Sequence, residues 1–335
     1  ARLALELDLP LLVYQGLGGR HRYNADRHHR FILETARDLS ASLAEHGQRL
    51  VFHLPSDPLK RGPIRDLMAR SALTVSELYP VPPFTGWYRQ HLVSNPDLTL
   101  VLVDASCILP MPVSGKRQTR AFVFRRKYED EMDARVSQGW QDSDQWPQSF
   151  TGEVGFEPFD LTRPLDDAIA ACDIDHAIPP QAGTVGGSTA ALERWNRFLE
   201  SGLSNYHRLR NDAALPEAVS RMSAYLHYGC IPVFRVAQDA RHKGGEGAQK
   251  FLDELLVWRE LSHHFCYHTS ELESLAALPG WASESLTAHE ADPRQETFDW
   301  ETLARAQTGN PLWDLAQRSL LRHGELHNNL RMTWG

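Results

Sequence analysis

Short apolar runs alternate with longer stretches of helical period through the first third of the chain. Leu9–Tyr14, Arg49–Leu54, Leu73–Leu78 and Leu98–Asp104 read as strands, with Asp26–His46 and Pro63–Ala72 as helices between them. Such alternation predicts parallel strands joined by crossover helices. The runs LPLLVY and LTLVLVD are apolar almost throughout, as strands covered on both faces are. The expectation for this part is therefore α/β, a doubly wound parallel sheet. Gly47 stands just past the helical run that ends at His46, a good stop signal, and Asn95-Pro96-Asp97 marks a turn before the last strand.

Between about Lys116 and Thr184 the texture changes to charge clusters, Trp140 and Trp146 among polar residues, and prolines at 147, 158, 164, 179 and 180. This stretch reads as a long interdomain connection. From Gly186-Gly187-Ser188 a helical period takes over, with Leu192, Trp195, Phe198, Leu199, Leu203 and Tyr206 at steps of three and four. Further helices are expected over Pro232–His242, Gly247–His268, Phe298–Thr308 and Pro311–Trp334, with no strand among them. The domains expected are 1–115, α/β; 116–185, connection; and 186–335, all-α.

Composition narrows the classes. The chain has 335 residues, enough for about two domains. With 42% hydrophobic and 23% charged residues it is made to fold. No apolar run approaches the ~18 residues that span a bilayer. The four cysteines, Cys107, Cys172, Cys230 and Cys266, are far apart with no C-x-x-C pair, which points to a reducing, cytoplasmic compartment. The net charge of −8 is unfavourable for nucleic acid as a whole, so any DNA contact must come from local arginines and polar groups.

Several groups of residues carry candidate chemistry. In FLDELLVWRELSHHF, helical spacing places Phe251, Glu254, Trp258, Leu261 and Phe265 on one face. A carboxyl among aromatics is either desolvated and protonated, able to donate a hydrogen bond, or at the edge of the stripe and paired with an arginine. Arg259 and Glu260 point elsewhere. Trp258, Trp313 and Trp334 fall in helices, where indoles pack, pass electrons or stack on a base. His263, His264 and His268 cluster with Cys266, and His323 and His327 are four apart, but no H-E-x-x-H pattern is present and no metal is expected. The glycines at 16, 18 and 19 do not form G-x-G-x-x-G and read as a loop. Ser220 and Ser223 flank Arg221 before a helix, a set of donors able to hold a phosphate.

The order of four motifs is more specific than any one of them. Tyr206-x-x-x-Arg210-Asn211-Asp212, SRMSAYLHYG from Ser220, ELLVWREL from Glu254 and HGELHNNLRM from His323 together resemble the flavin-binding helical domain of the photolyase and cryptochrome family. The stretches 251–268, 311–334 and the early ELDLPLLVYQGL resemble the class II cyclobutane pyrimidine dimer photolyases. The likeness covers nearly the whole chain and is weakest in the connection. It departs from the family pattern at Ala224, usually proline, and at Asn328-Asn329-Leu330, commonly Gly-Phe-Met in class II. It also implies that the family's first strand and its C-terminal helices are missing from this chain.

The resemblance implies a blue-light-driven, FAD-dependent DNA repair lyase that splits cyclobutane pyrimidine dimers by electron transfer. A cryptochrome-like light receptor and an inactive flavin-binding homologue are the alternatives. Tyr206, Ser220, Arg221, Met222, Ser223 and Phe251 match the family's FAD-contacting positions. Glu254, Trp258 and Met332 match the residues around the extruded dimer, Glu254 as an acid that hydrogen-bonds it. Trp313 and Trp334 match the tryptophans that carry electrons to oxidised flavin. Arg210, Arg259, Asn328, Asn329 and Arg331 are the candidates for DNA contact. The expected partner is ultraviolet-damaged DNA, bound by a monomer without a membrane. A second, antenna chromophore of deazaflavin or folate type is left open.

Overall fold

A computed structural model describes residues 1–18, 23–55, 62–139 and 144–334, the last without its side chain. The residues form two compact units. One gathers Ala1–Ser106, Gly139–Arg197 and Arg221–Val236; the other gathers Cys107–Gln138, Phe198–Ser220 and Ala237–Gly335.

The first unit is built on strands β1 (Val13–Gly16), β2 (Leu50–His53), β3 (Thr74–Glu77) and β4 (Leu100–Val103). β1 pairs with β2 in parallel, Val13 opposite Leu50, and β3 pairs with β4 in parallel, Thr74 opposite Leu100. Parallel pairing was expected, but one doubly wound sheet was not found. The described residues carry two separate two-stranded ladders, because no described strand bridges them.

β2 shows why its run is apolar throughout. Leu50 and Phe52 point to one face, into a core with Leu33, Ala36 and Leu43 of the helix Asp26–Glu45 and with Leu165 and Ile169. Val51 points to the other face, against Leu67 and Val154. Alternate residues thus serve two cores, and burying Phe52 alone contributes roughly 1.5–3 kcal/mol. The helix Asp26–Glu45 ends where expected, with Gly47 at φ 67° donating its N–H to the Ala44 carbonyl.

Among the helices not anticipated, Leu165–Ala170 and Gly280–Ala288 are short and two others are longer. Phe84–Ser94 carries Gly86, aromatics and β-branched residues and leaves Trp87, Leu92 and Val93 exposed, so its sequence has no clear apolar stripe. Ala121–Gln138 lies inside the stretch read as a connection. Only Phe124, Tyr128, Met132 and Val136 are buried, one residue per turn, and the charges between them hid the period.

After residue 186 every described regular element is helical. The expected helix Gly247–His268 has three parts: Gly245–Leu252, a π-helical stretch Asp253–Trp258, and Arg259–Tyr267. The expected helix Pro311–Trp334 is broken by Gly324 at φ 66° into Pro311–His323 and Asn328–Trp334. The C-terminal part of Phe298–Thr308 is not helical beyond Ala304. In the second unit Phe198, Tyr206 and Phe251 pack ring against ring, with centroids 5.5 to 5.9 Å apart. Gly247 permits this approach, since a Cβ there would overlap the Leu203 carbonyl oxygen.

Candidate functional site

The π-helical stretch resets the face expected for residues 251–265. A π turn holds one residue more than an α turn needs, so positions beyond 253 rotate relative to those before it. Leu255, Leu256 and Val257 are buried, Trp258 is 51% exposed, and Glu260, expected off the apolar face and solvated or paired, is 0% exposed. The inward Trp258 of the simple helical reading is thereby corrected. An indole standing out from a π turn is available to a ligand.

Of the two readings left open for Glu254, the structure shows the one paired with an arginine. Its carboxylate Oε1 accepts from Arg210 Nη2 at 3.0 Å and from Lys250 Nζ at 2.7 Å. Asp253 pairs with Lys250 at 3.0 Å and with Arg125. Burial would push the Lys250 ammonium down, but the carboxylates of Glu254 and Asp253 outweigh it and hold it above its ordinary value. Burial would raise the Asp253 carboxyl, and Lys250 and Arg125 outweigh that to hold it low. Three cations therefore meet two carboxylates on one side of the π turn. Sequence reading missed Lys250, Asp253 and Arg125; the three- and four-residue spacing from Lys250 to Asp253 and Glu254 was the available signal.

Tyr206 lies directly beside this cluster. It begins the short helix Tyr206–Leu209 and packs on Phe198 and Phe251. The Arg210 guanidinium lies 5.6 Å from its ring centroid. Burial raises the Tyr206 phenol pKa, partly offset by its hydrogen bond to Arg210. Arg210, expected to face DNA, is instead committed to Glu254 and Tyr206.

The last motif joins the same unit through Asn329, whose Nδ2 donates to the Asn211 carbonyl at 3.2 Å. Asn328, Asn329 and Arg331 are exposed, with Arg331 Nη2 donating to Asn328 Oδ1 at 2.7 Å. Met332 is 73% exposed. Trp313 is half-buried in Pro311–His323, and the side chain of Trp334 lies outside the described residues. Arg259 is half-buried, and its carbonyl meets His263 Nδ1 at 3.0 Å. The ring nitrogens His207 Nδ1 and His327 Nε2 of this unit are buried, and neither has a hydrogen-bond partner among the described residues.

The segment after Ser220 belongs to the other unit from Arg221 onward. Arg221 adopts φ 53°, a strained conformation for a residue other than glycine. Met222 is buried and Ser223 is exposed at the start of the helix Ser223–His227. Tyr225 anchors that helix by donating to the Val185 carbonyl at 2.9 Å and packing on Phe31.

The histidine cluster does not act as one group. His264 Nε2 meets the Leu109 carbonyl at 2.9 Å, and His268 Nε2 meets Ser114 Oγ at 2.9 Å. Glu260 accepts the Ile108 and Leu109 N–H groups at 2.7 and 3.0 Å. Ligand-type atoms of Cys107, Glu260 and His264 lie within 4.8 Å of one another. The backbone of 108–109 engages Glu260 and His264, so these contacts fasten the 107–114 segment to the helix Arg259–Tyr267. No described helix is long and apolar enough to cross a membrane.

No family model matches the chain. It is 30% identical over 333 residues to a deoxyribodipyrimidine photo-lyase of Methanothermobacter thermautotrophicus, covering 99% of this chain and 71% of that protein. Among solved structures it is similar to a class III photolyase of Agrobacterium tumefaciens, with TM-score 0.71 and 21% identity over 99% of this chain and 67% of that one. It is also similar to a cryptochrome of Synechocystis sp. PCC6803, with TM-score 0.70 and 16% identity over 98% of this chain and 69% of that one.

Proposed function

Since the chain belongs to the photolyase and cryptochrome family, we propose that it is an FAD-dependent DNA repair lyase that splits cyclobutane pyrimidine dimers under blue light. The observation that carries this reading is the exposed Trp258 on a π turn beside Glu254, whose carboxylate gathers Arg210 and Lys250. Such a pairing offers a stacking surface next to positive charge, which suits an extruded, electron-accepting base pair.

The residues fit a flavin. Tyr206 and Phe251 form an aromatic wall in their unit, and the two buried ring nitrogens of His207 and His327 are the kind of polar atom a ligand or water satisfies. The proposed FAD contacts in this unit are Tyr206, Ser220 and Phe251; Arg221, Met222 and Ser223 are proposed from the family resemblance alone. When bound, reduced FAD absorbs blue light and supplies the electron for the ring-opening.

The chain's own residues do the rest. Trp258 stacks on the dimer once it leaves the helix, a move that costs less for a lesion already poorly stacked and paired. Arg210 and Lys250, oriented by Glu254, favour the negative charge that develops on the pyrimidine carbonyl oxygens. Met332, Asn328 and Asn329 meet the lesion and its strand from the helix Asn328–Trp334, while Arg259 and Arg331 add positive charge for phosphate. Trp313 and Trp334 are proposed to pass electrons from the surface. The class II character, the monomeric state and a cytoplasmic setting belong to the same proposal.

The second reading is a light receptor, favoured by the fold shared with the Synechocystis cryptochrome. Ultraviolet-irradiated oligothymidylate, mixed with the flavin-loaded protein and illuminated, separates the two. A lyase restores the thymine absorbance in light and leaves it unchanged in darkness. A receptor bleaches its own visible bands and restores nothing.

A further inference from the structure

A line of aromatic rings in the first unit has no part in the reading above. It starts at the surface with Trp87, 49% exposed, on the helix Phe84–Ser94. Trp87 meets Phe84 at 5.1 Å between centroids, and Phe84 meets Tyr79 at 5.0 Å. Tyr79, just after β3, faces His227 at 6.0 Å between ring centroids, and its hydroxyl lies 3.0 Å from His227 Nδ1. His227 closes the helix Ser223–His227 and meets Tyr228 at 4.8 Å. Tyr228 leads to Phe31 at 5.0 Å.

We propose that Tyr79 and His227 form a proton-coupled electron-transfer pair, the redox station of this ring line. Tunnelling falls steeply with distance, and neighbouring rings at these separations are close enough to exchange an electron or a hole. A phenol is hard to oxidise while it keeps its proton, since the cation it would leave is a very strong acid. A base already on the hydroxyl removes that obstacle. Tyr79 gives one electron to the oxidant; its O–H bond breaks, and the proton moves along the 3.0 Å contact to form an N–H bond at His227 Nδ1. The products are a neutral tyrosyl radical, an imidazolium and the reduced oxidant. The imidazole starts as the tautomer protonated on Nε2, and His227 is exposed, so the transferred proton has a route to water.

Tyr228 is the neighbouring phenol on the line. Burial raises its pKa, with Tyr79 adding to the effect. It therefore holds its proton more firmly than an exposed phenol, and the pair at 79 and 227 is the better station.

The natural oxidant is a light-excited, oxidised flavin, and only this clause rests on the function proposed above. The helix that His227 closes begins at Ser223, a residue assigned there to FAD. The line is thus an electron source separate from Trp313 and Trp334.

The test needs no flavin. A photo-excited ruthenium(II) polypyridyl complex with persulfate gives a ruthenium(III) oxidant in a flash, and tyrosyl radical is followed by absorbance and electron paramagnetic resonance. The wild-type protein is expected to give a radical signal that forms more slowly in heavy water. In Tyr79→Phe the signal falls to the background of the other tyrosines. In His227→Gln it forms about a hundredfold more slowly, the scale set by losing a positioned base. Circular dichroism checks that both variants fold, and Tyr228→Phe is expected to keep the signal. An unchanged radical yield in Tyr79→Phe, or an unchanged rate in His227→Gln, overturns the proposal. A protein that shows the Tyr79 radical but repairs no DNA refutes the proposed function and leaves the pair standing.

Discussion

Trp258 and Glu254 sit four residues apart, yet the structure gives them different kinds of work. Trp258 is exposed and stabilises little, so Trp258→Ala should change the unfolding free energy by no more than about 0.5 kcal/mol. Its loss should weaken binding of a dimer-containing oligonucleotide by about 1–3 kcal/mol, the value of one stacked base, with much less effect on an undamaged strand; fluorescence anisotropy in the dark reads both. Glu254→Gln should leave Arg210 and Lys250 without their common carboxylate. Arg210 then loses its carboxylate while Lys250 keeps only Asp253, and light-driven repair should fall more than dimer affinity does. Elsewhere, His29 is buried, and burial pushes its pKa below the ordinary 6.5, helped by repulsion from His28. The unfolded chain therefore binds this proton more readily than the folded one, so stability drops as pH falls through the ordinary histidine range. The loss is complete once the pH is below the folded value. His29→Gln should give a shallower fall of the denaturation midpoint on acidification than the wild type.

Among the elements, the π stretch Asp253–Trp258 decides which residues face a ligand. Apolar period found the helix around it, and the family resemblance supplied Tyr206, Phe251 and Trp258 as site candidates. Neither showed that an extra residue per turn would expose Trp258 and bury Glu260, because a π turn has no composition of its own. The strand β2 was legible because a run covered on both faces is apolar without a break, as the two cores around Leu50, Val51 and Phe52 show. Ala121–Gln138 was not, since a stripe one residue wide is lost among charges. The charge cluster was half legible: the Lys250 to Glu254 spacing is local, whereas Arg125 and Arg210 arrive from distant parts of the chain. Gly247 gives a test at this scale. Gly247→Ala would press a methyl group onto the Leu203 carbonyl, forcing the helix Gly245–Leu252 off Tyr206. A loss of roughly 1–3 kcal/mol is expected in denaturant titration, together with weaker flavin retention.

For the whole molecule, a net charge of −8 means that, under the proposed function, DNA must be held by a local surface against a repulsive background. Affinity for damaged duplex should fall steeply with added salt, and Arg331→Gln should reduce the slope of log affinity against log salt by about 0.9, one phosphate contact. The same variant should weaken damaged and undamaged duplexes alike, since phosphates carry no information about the lesion. The central claim is that this molecule uses light to open a pyrimidine dimer, and chromatographic counting of dimers in a defined oligonucleotide tests it most directly. With the flavin-loaded protein, dimers should disappear under blue light, intact thymines should appear in equal number, and darkness should preserve the lesion. Dimers that persist through illumination, although flavin and DNA are both shown to be bound, would contradict the account.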